Sequence, residues 1–305
     1  MRIVVVGTGG VGGYFGARLA RAGQDVTFVA RGAHLDALRQ HGLRVRSSVE
    51  GDHTVPVTAV EKITGLPPAD AVLLCVKSFD TESALESLRP LIATETAVLS
   101  LQNGVDNEDK IDAVLGAGHA LGGVAYVFAA VESPGVIAHT FGGRIVFGEM
   151  DGRPTPRAER LRHAFSDAGI PAELSSDIRR ALWEKYLMIS AQAGMTALTG
   201  CAIGVIRDTP ETWRMYRMIV EELATLGRAS GVALPPDAAD KVMGLASALA
   251  PHLYSSLHHD LTQGKRLELE ALQGHAVRLG ERLGVPTPTV FAVYAALLPR
   301  AEGGR

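Results

Sequence analysis

Six residues near the start of the chain, Gly7-Thr8-Gly9-Gly10-Val11-Gly12, have the spacing G-x-G-x-x-G. They follow a β-branched run, Ile3-Val4-Val5-Val6, and open a stretch of helical periodicity from Val11 to Ala22. A strand, a tight glycine turn and a helix start together make a cradle for a diphosphate. Gly7 allows the turn, Gly9 lets the backbone approach an anion with no Cβ between, and Gly12 permits close packing of helix on strand. The helix N-terminus adds N–H groups and partial positive charge. A tight turn with no ligand is the competing reading. A second strand, Asp25 to Ala30, ends in Arg31, where an NAD-binding fold usually carries an acid for the ribose hydroxyls. A guanidinium pairs with a 2′-phosphate instead, so the expected cofactor is NADP(H). Its alternative is a surface arginine at a strand end.

Two further polar residues follow apolar runs: Lys77 after Val72-Leu-Leu-Cys-Val76, and Asn103 after Val98-Leu-Ser-Leu-Gln102. Ligands of open α/β sheets bind at the carboxyl ends of strands, so both are placed to reach a cofactor or substrate. Read singly, each is equally well a solvated loop residue.

In the second half, Lys185 lies in the mostly apolar stretch Trp183 to Ser190. Helical spacing puts it on one face with Leu182, Met188, Ile189 and Gln192. Burial there would lower its pKa, and a nearby carboxylate would oppose that shift. As a protonated donor it could reach a carbonyl oxygen; the alternative is a lysine whose stem lies along the helix while its head reaches water. Glu268 and Glu270 lie about 200° apart if the segment is helical, so only one of them can face a cleft. The pair Ser255-Ser256 precedes His258 and His259, which read as polar surface. There is no HExxH or CxxC spacing for a metal and no G-x-S-x-G elbow for a serine hydrolase.

These residues need a scaffold, and the chain supplies two kinds. Up to about residue 175, buried apolar runs alternate with helical segments, as βαβ units of a doubly wound sheet do. Strand-like segments at 124–131, 136–140 and 144–147, separated by turns at Ser133-Pro134-Gly135 and Gly142-Gly143, are expected to add antiparallel strands at one edge. Beyond about Asp177 the strand signals stop. Helices are expected at 178–198, 210–230, 236–250 and 264–283, with Thr209 or Asp208 capping the second and Gly231 and Gly284 as stops. The fold class is therefore α/β: residues 1–175 form an N-terminal Rossmann-like NADP-binding domain, and 176–305 a C-terminal all-helical substrate and catalytic domain. A chain of 305 residues with 47% hydrophobic side chains has ample material for two cores. A net charge of −3 offers no basic tract for nucleic acid. No apolar run reaches membrane-spanning length, the N-terminus reads as a strand rather than a signal peptide, and two cysteines make no disulfide framework. A cytoplasmic protein is expected, with a shared homodimer interface as an option.

Taken together, the GTGGVG loop, Arg31, Val76-Lys77, Gln102-Asn103-Gly104, Leu182-Trp183-Glu184-Lys185, Thr196-Ala197-Leu198-Thr199-Gly200 and the spacing from Ser255-Ser256 to Glu268 resemble the ketopantoate reductase (2-dehydropantoate 2-reductase) family over nearly the whole chain. The resemblance implies NADPH-dependent reduction of 2-dehydropantoate to (R)-pantoate, a step of pantothenate biosynthesis, in a cleft between a Rossmann domain and a helical domain. The family's general-acid lysine falls on Lys185, its active-site glutamate on Glu268 and its substrate-contacting serine on Ser256. Lys77 and Asn103 match a polar pair on the cofactor side. The implied cofactor set is Gly7, Thr8, Gly9, Gly10, Val11, Gly12, Arg31, Lys77, Asn103 and Glu268; the substrate set is Asn103, Lys185 and Ser256, with no metal. Three family asparagines are replaced by Ile189, Ala193 and Leu253, leaving Ser190 and Gln192 as polar substitutes. Two other readings stay open: a related enzyme acting on a more apolar 2-oxo or 2-hydroxy acid, and a dinucleotide-binding protein without turnover.

Overall fold

The computed structural model describes residues 1–304. The chain divides into two compact units: Met1–Gln102 with Asp106–Ile178, and Asn103–Val105 with the chain from Arg179 onward. Residues 103–105 thus leave the first unit in mid-chain and group with the second.

The first unit is built on one ten-stranded sheet. Its strands are β1 (Arg2–Val6), β2 (Asp25–Val29), β3 (Leu43–Ser47), β4 (His53–Val55), β5 (Thr58–Val60), β6 (Ala71–Leu74), β7 (Ala97–Ser100), β8 (Ala120–Ser133), β9 (Val136–Glu149) and β10 (Ala172–Leu174). Their order is β4-β3-β9-β8-β7-β6-β1-β2-β5, with β10 pairing β9. The strands from β8 through β7, β6, β1 and β2 to β5 pair in parallel, whereas β8 and β9 are antiparallel. The central strands are buried on both faces because their alternate residues feed two layers of core. Ile3, Val5, Leu73 and Leu99 enter one; Val4, Val6, Val72, Leu74 and Val98 enter the other. Helices α1 (Gly10–Arg21), α2 (Gly32–His41), α3 (Thr81–Leu88), α4 (Asn107–Leu115) and α5 (Pro156–Asp167) complete the α/β layers.

The antiparallel pair β8–β9 does not form an edge as expected, because β3 pairs with β9 and β4 lies beyond it; two further details differ from the sequence expectation. Gly142-Gly143 is not a turn between strands but a bulge inside β9. Tyr126 pairs with Arg144 and Val127 with Gly142, leaving Gly143 over, and both glycines have positive φ. The sequence reading also assigned no strand to 43–60, where β3 alternates buried and exposed residues over only five positions.

The second unit is helical: α6 (Ile178–Thr199), α7 (Ile203–Asp208), α8 (Pro210–Ala229), α9 (Ala238–Ser247), α10 (Ser256–Thr262), α11 (His275–Leu283) and α12 (Pro288–Leu297). They enclose a core that includes Tyr186, Leu187, Met195, Tyr216, Leu223, Leu269 and Val293. Thr209 stands at the N-cap of α8, but its hydroxyl donates to Val205 O at 2.9 Å and so serves the end of α7. The helix expected over 264–283 starts later. Leu267 and Leu269 are both buried, a period-two pattern that places 267–268 outside the helix, and the Leu267 N–H donates to Ala301 O at 2.8 Å. A π-helical turn, Glu270–Gly274, then leads into α11.

Candidate active site

The glycine loop is shaped by what surrounds it. Gly7 has φ +96°, and a Cβ there would lie 2.5 Å from the Val76 nitrogen. At Gly12 a Cβ would meet Gly7 O at 2.3 Å and Val5 Cγ1 at 2.9 Å, so the first turn of α1 lies directly on the backbone of the glycine turn and on the Val5 side chain of β1. Gly10 has a constraint that the motif does not announce: a Cβ there would sit 2.0 Å from the carbonyl oxygen of Ala129 in β8. By contrast nothing lies within 4 Å of a Cβ built on Gly9, the position meant to face an anion. The Thr8 hydroxyl donates to Val29 O at 2.9 Å, which ties the loop to the end of β2 and leaves its backbone for a ligand. Val11 packs on the core beneath.

Arg31, the N-cap residue of α2, is exposed; its carbonyl accepts from the Leu35 N–H, while its guanidinium makes no hydrogen bond or ion pair among the described residues. Lys77 is exposed at the start of a 3-10 turn, Ser78–Asp80. Beside it is a brace that residue-by-residue reading passed over. Buried Gln102 donates from Nε2 to Val76 O (2.9 Å) and Thr81 Oγ1 (2.8 Å), and its Oε1 accepts from the Ser100 hydroxyl. It fixes the chain on either side of Lys77. An open turn glycine, a helix N-terminus and a free guanidinium at the end of β2 fit a phosphorylated dinucleotide.

In the helical unit, α6 is locked by buried Trp183, Tyr186 and Leu187, which leaves Lys185 on its partly exposed side. Desolvation by the surrounding apolar atoms pulls the Lys185 ammonium down to about 8, and the Glu268 carboxylate opposes that shift. Of the two glutamates, Glu268 is therefore the one that acts on Lys185. Glu270 is occupied elsewhere: it accepts from the Tyr294 hydroxyl at 2.6 Å and pairs with Arg278. The helical geometry assumed for Glu268 was wrong, because it stands just before the π turn.

Ser256 is exposed at the first position of α10. Its neighbour Ser255 is the N-cap, accepting from the His258 N–H at 3.0 Å and sharing a 2.6 Å hydrogen bond with Thr196 Oγ1. Thr196 follows Lys185 by eleven residues, about three turns, and so shares its face of α6; that spacing was available in the sequence. Gln192 lies on the same stripe with its Oε1 buried and unpartnered. Ser190 is about 140° away, and its carbonyl accepts from Gln273. Ile189, Ala193 and Leu253 all pack on the helical core. Asn103 groups with this unit rather than with the strands that precede it. Among the described residues no cluster of His, Cys, Asp or Glu could hold a metal ion, and no helix is long and apolar enough to cross a membrane.

Both parts of the chain are similar to known proteins. The family described as "Ketopantoate reductase PanE/ApbA" matches residues 3–152, and its C-terminal counterpart matches 177–301. A 2-dehydropantoate 2-reductase of Mesorhizobium japonicum is 32% identical over 316 residues, covering 97% of this chain and 96% of that one. The crystal structure of a PanE/ApbA family ketopantoate reductase from Ralstonia eutropha JMP134 superimposes with a TM-score of 0.91 at 35% identity, covering 99% and 98% of the two chains. A D-mandelate dehydrogenase solved with NADH and anilino(oxo)acetate shares the fold at 21% identity, with a TM-score of 0.90 and coverage of 99% and 98%. The chain belongs to the ketopantoate reductase family and is an NAD(P)H-dependent oxidoreductase acting on the CH–OH group of its donors.

Proposed function

We propose that this enzyme reduces 2-dehydropantoate to (R)-pantoate with NADPH, using Lys185 as the general acid. The observation that carries the reading is the place of Lys185 on packed helix α6, where burial desolvates its ammonium and draws it down to about 8 while Glu268 opposes that shift. A donor with that pKa is still charged at neutral pH and yet gives up its proton readily. Relatives named 2-dehydropantoate 2-reductase support the substrate. Arg31, exposed and with no protein partner for its guanidinium among the described residues, supports the 2′-phosphate and hence NADPH over NADH.

When bound, the dinucleotide would supply a hydride for the carbonyl carbon of the 2-oxo acid. The glycine loop would hold its diphosphate through backbone N–H groups, with Arg31 at the 2′-phosphate and Lys77 and Asn103 as further polar contacts. Lys185 donates a hydrogen bond to the ketone oxygen and then transfers a proton to it as negative charge develops. Glu268 keeps Lys185 charged before the transfer and orients its head. Ser256 and Asn103 bind the polar groups of the substrate. Because the protonated lysine is the active form, kcat is present below about pH 8 and is lost as pH rises through it.

A second reading is favoured by Ile189, Ala193 and Leu253, which are absorbed into the helical core where amides would otherwise bind substrate. A site with fewer polar partners discriminates against a hydroxylated substrate. Under this reading the same residues reduce a more apolar 2-oxo acid. A panel of 2-oxo acids assayed with NADPH and with NADH separates the two. The first reading expects the highest kcat/KM for 2-dehydropantoate with NADPH; a higher value for an alkyl or aryl 2-oxo acid would replace it with the second. Two free cysteines and the absence of a disulfide framework support a reducing cytoplasm.

A further inference from the structure

We propose that Tyr186 and Gln273 are positioning residues that hold Glu268 against Lys185; this rests on Lys185 being the acid of the reaction above. The two charged residues are 83 positions apart in sequence, and Glu268 stands on a stretch, 265–268, without regular secondary structure. Such a stretch does not fix a carboxylate by itself. On its N-terminal side it is pinned by the Leu267 N–H to Ala301 O. On its C-terminal side it runs into the π turn Glu270–Gly274, in which the Gly274 N–H reaches back to Leu269 O at 2.9 Å.

That turn is stitched to α6 at two points. The Tyr186 hydroxyl donates to Leu272 O, and Gln273 Nε2 donates to Ser190 O at 2.7 Å. Tyr186 and Ser190 are one turn apart on α6, and Tyr186 follows Lys185 in sequence, so the stitches hold the buried face of the same helical turns that carry the ammonium. Both donors come from side chains with no more than 1% exposure. Gly194, one turn beyond Ser190, leaves room for the contact: a Cβ there would lie 3.0 Å from Gln273 Nε2 and 2.8 Å from Val293 Cγ1.

The chemistry of Gln273 argues for positioning rather than for stability alone. Its Oε1 is buried with no hydrogen-bond partner, as is Ser190 Oγ. A methionine of similar shape would avoid that desolvation cost, so what the amide adds is the directed bond to α6. Releasing the stitches lets Glu268 move off Lys185. The ammonium then keeps its desolvation and loses the opposing carboxylate, which moves its pKa further down.

The test uses Tyr186→Phe, Gln273→Met and the double variant, each also combined with Lys185→Ala, with NADPH affinity and thermal midpoint measured alongside. In the single variants the alkaline limb of the kcat–pH profile should move to lower pH by about half a unit or more. At neutral pH kcat should fall about three- to tenfold with NADPH affinity unchanged. In the Lys185→Ala background neither substitution should reduce kcat further. An alkaline limb that stays in place in Tyr186→Phe overturns the proposal even if Gln273→Met does not fold, as does an undiminished effect in the Lys185→Ala background. Lys185→Ala with undiminished turnover would instead overturn the general-acid reading on which the proposal rests.

Discussion

The two units present their candidate functional groups in opposite ways. In the first, the glycine loop is six consecutive residues, and what it offers a ligand is backbone: N–H groups at the start of α1, with side chains kept out by contacts as close as 2.0 Å. In the second, the offering is two charged side chains from distant parts of the chain, one on a long helix and one on an irregular segment ahead of a π turn. A backbone site tolerates almost no change in side-chain volume but demands no long-range registration. A side-chain site needs long-range registration above all, and packing around α6 supplies it.

The largest effect that would sharpen this contrast is expected at Gly12. In Gly12→Val the new side chain must displace Gly7 O and Val5, so NADPH binding should fall at least about a hundredfold, read by titration of cofactor fluorescence. Unimpaired binding would mean that the loop is not the diphosphate site. Next is a charge pair that only holds the fold together. Glu149 and Arg157, each about 8% exposed, share two hydrogen bonds of 2.8 and 2.6 Å, and Thr155 also donates to Glu149. Removing one charge leaves the other buried, so Glu149→Gln should lose about 3–5 kcal/mol in urea unfolding with KM unchanged.

How much of this could be read from the sequence follows the same division. The glycine turn, the buried strands and the place of Arg31 at a strand end were legible because each is local: a motif, a run of apolar residues, one residue after a strand. Gly10 was legible as part of the motif, but its contact with Ala129 depends on strand order and was not. Lys185 stood out as a lysine on an apolar helical face, yet its relation to Glu268 came only from the family resemblance. Helical spacing misplaced Glu268, because the alternation of Leu267 and Leu269 was read as part of a helix. Likewise Gly142-Gly143 has turn composition, and only the register of β8 against β9 makes it a bulge.

Smaller effects would refine the account. Arg31→Ala should weaken NADPH by about ten- to a hundredfold, the worth of a charged hydrogen bond, while NADH binding changes little. Equal losses for both cofactors would remove the 2′-phosphate from its role. The smallest is a titration: wild-type kcat should halve near pH 8, where the Lys185 ammonium loses its proton, and stay level at lower pH until another group titrates.

The most direct measurement is the single-turnover rate of hydride transfer in Lys185→Ala at saturating NADPH and 2-oxo acid. A positioned proton donor is worth about a hundredfold to ten-thousandfold. The account therefore predicts a loss in that range with the dissociation constant of NADPH unchanged; a rate close to wild type would contradict it.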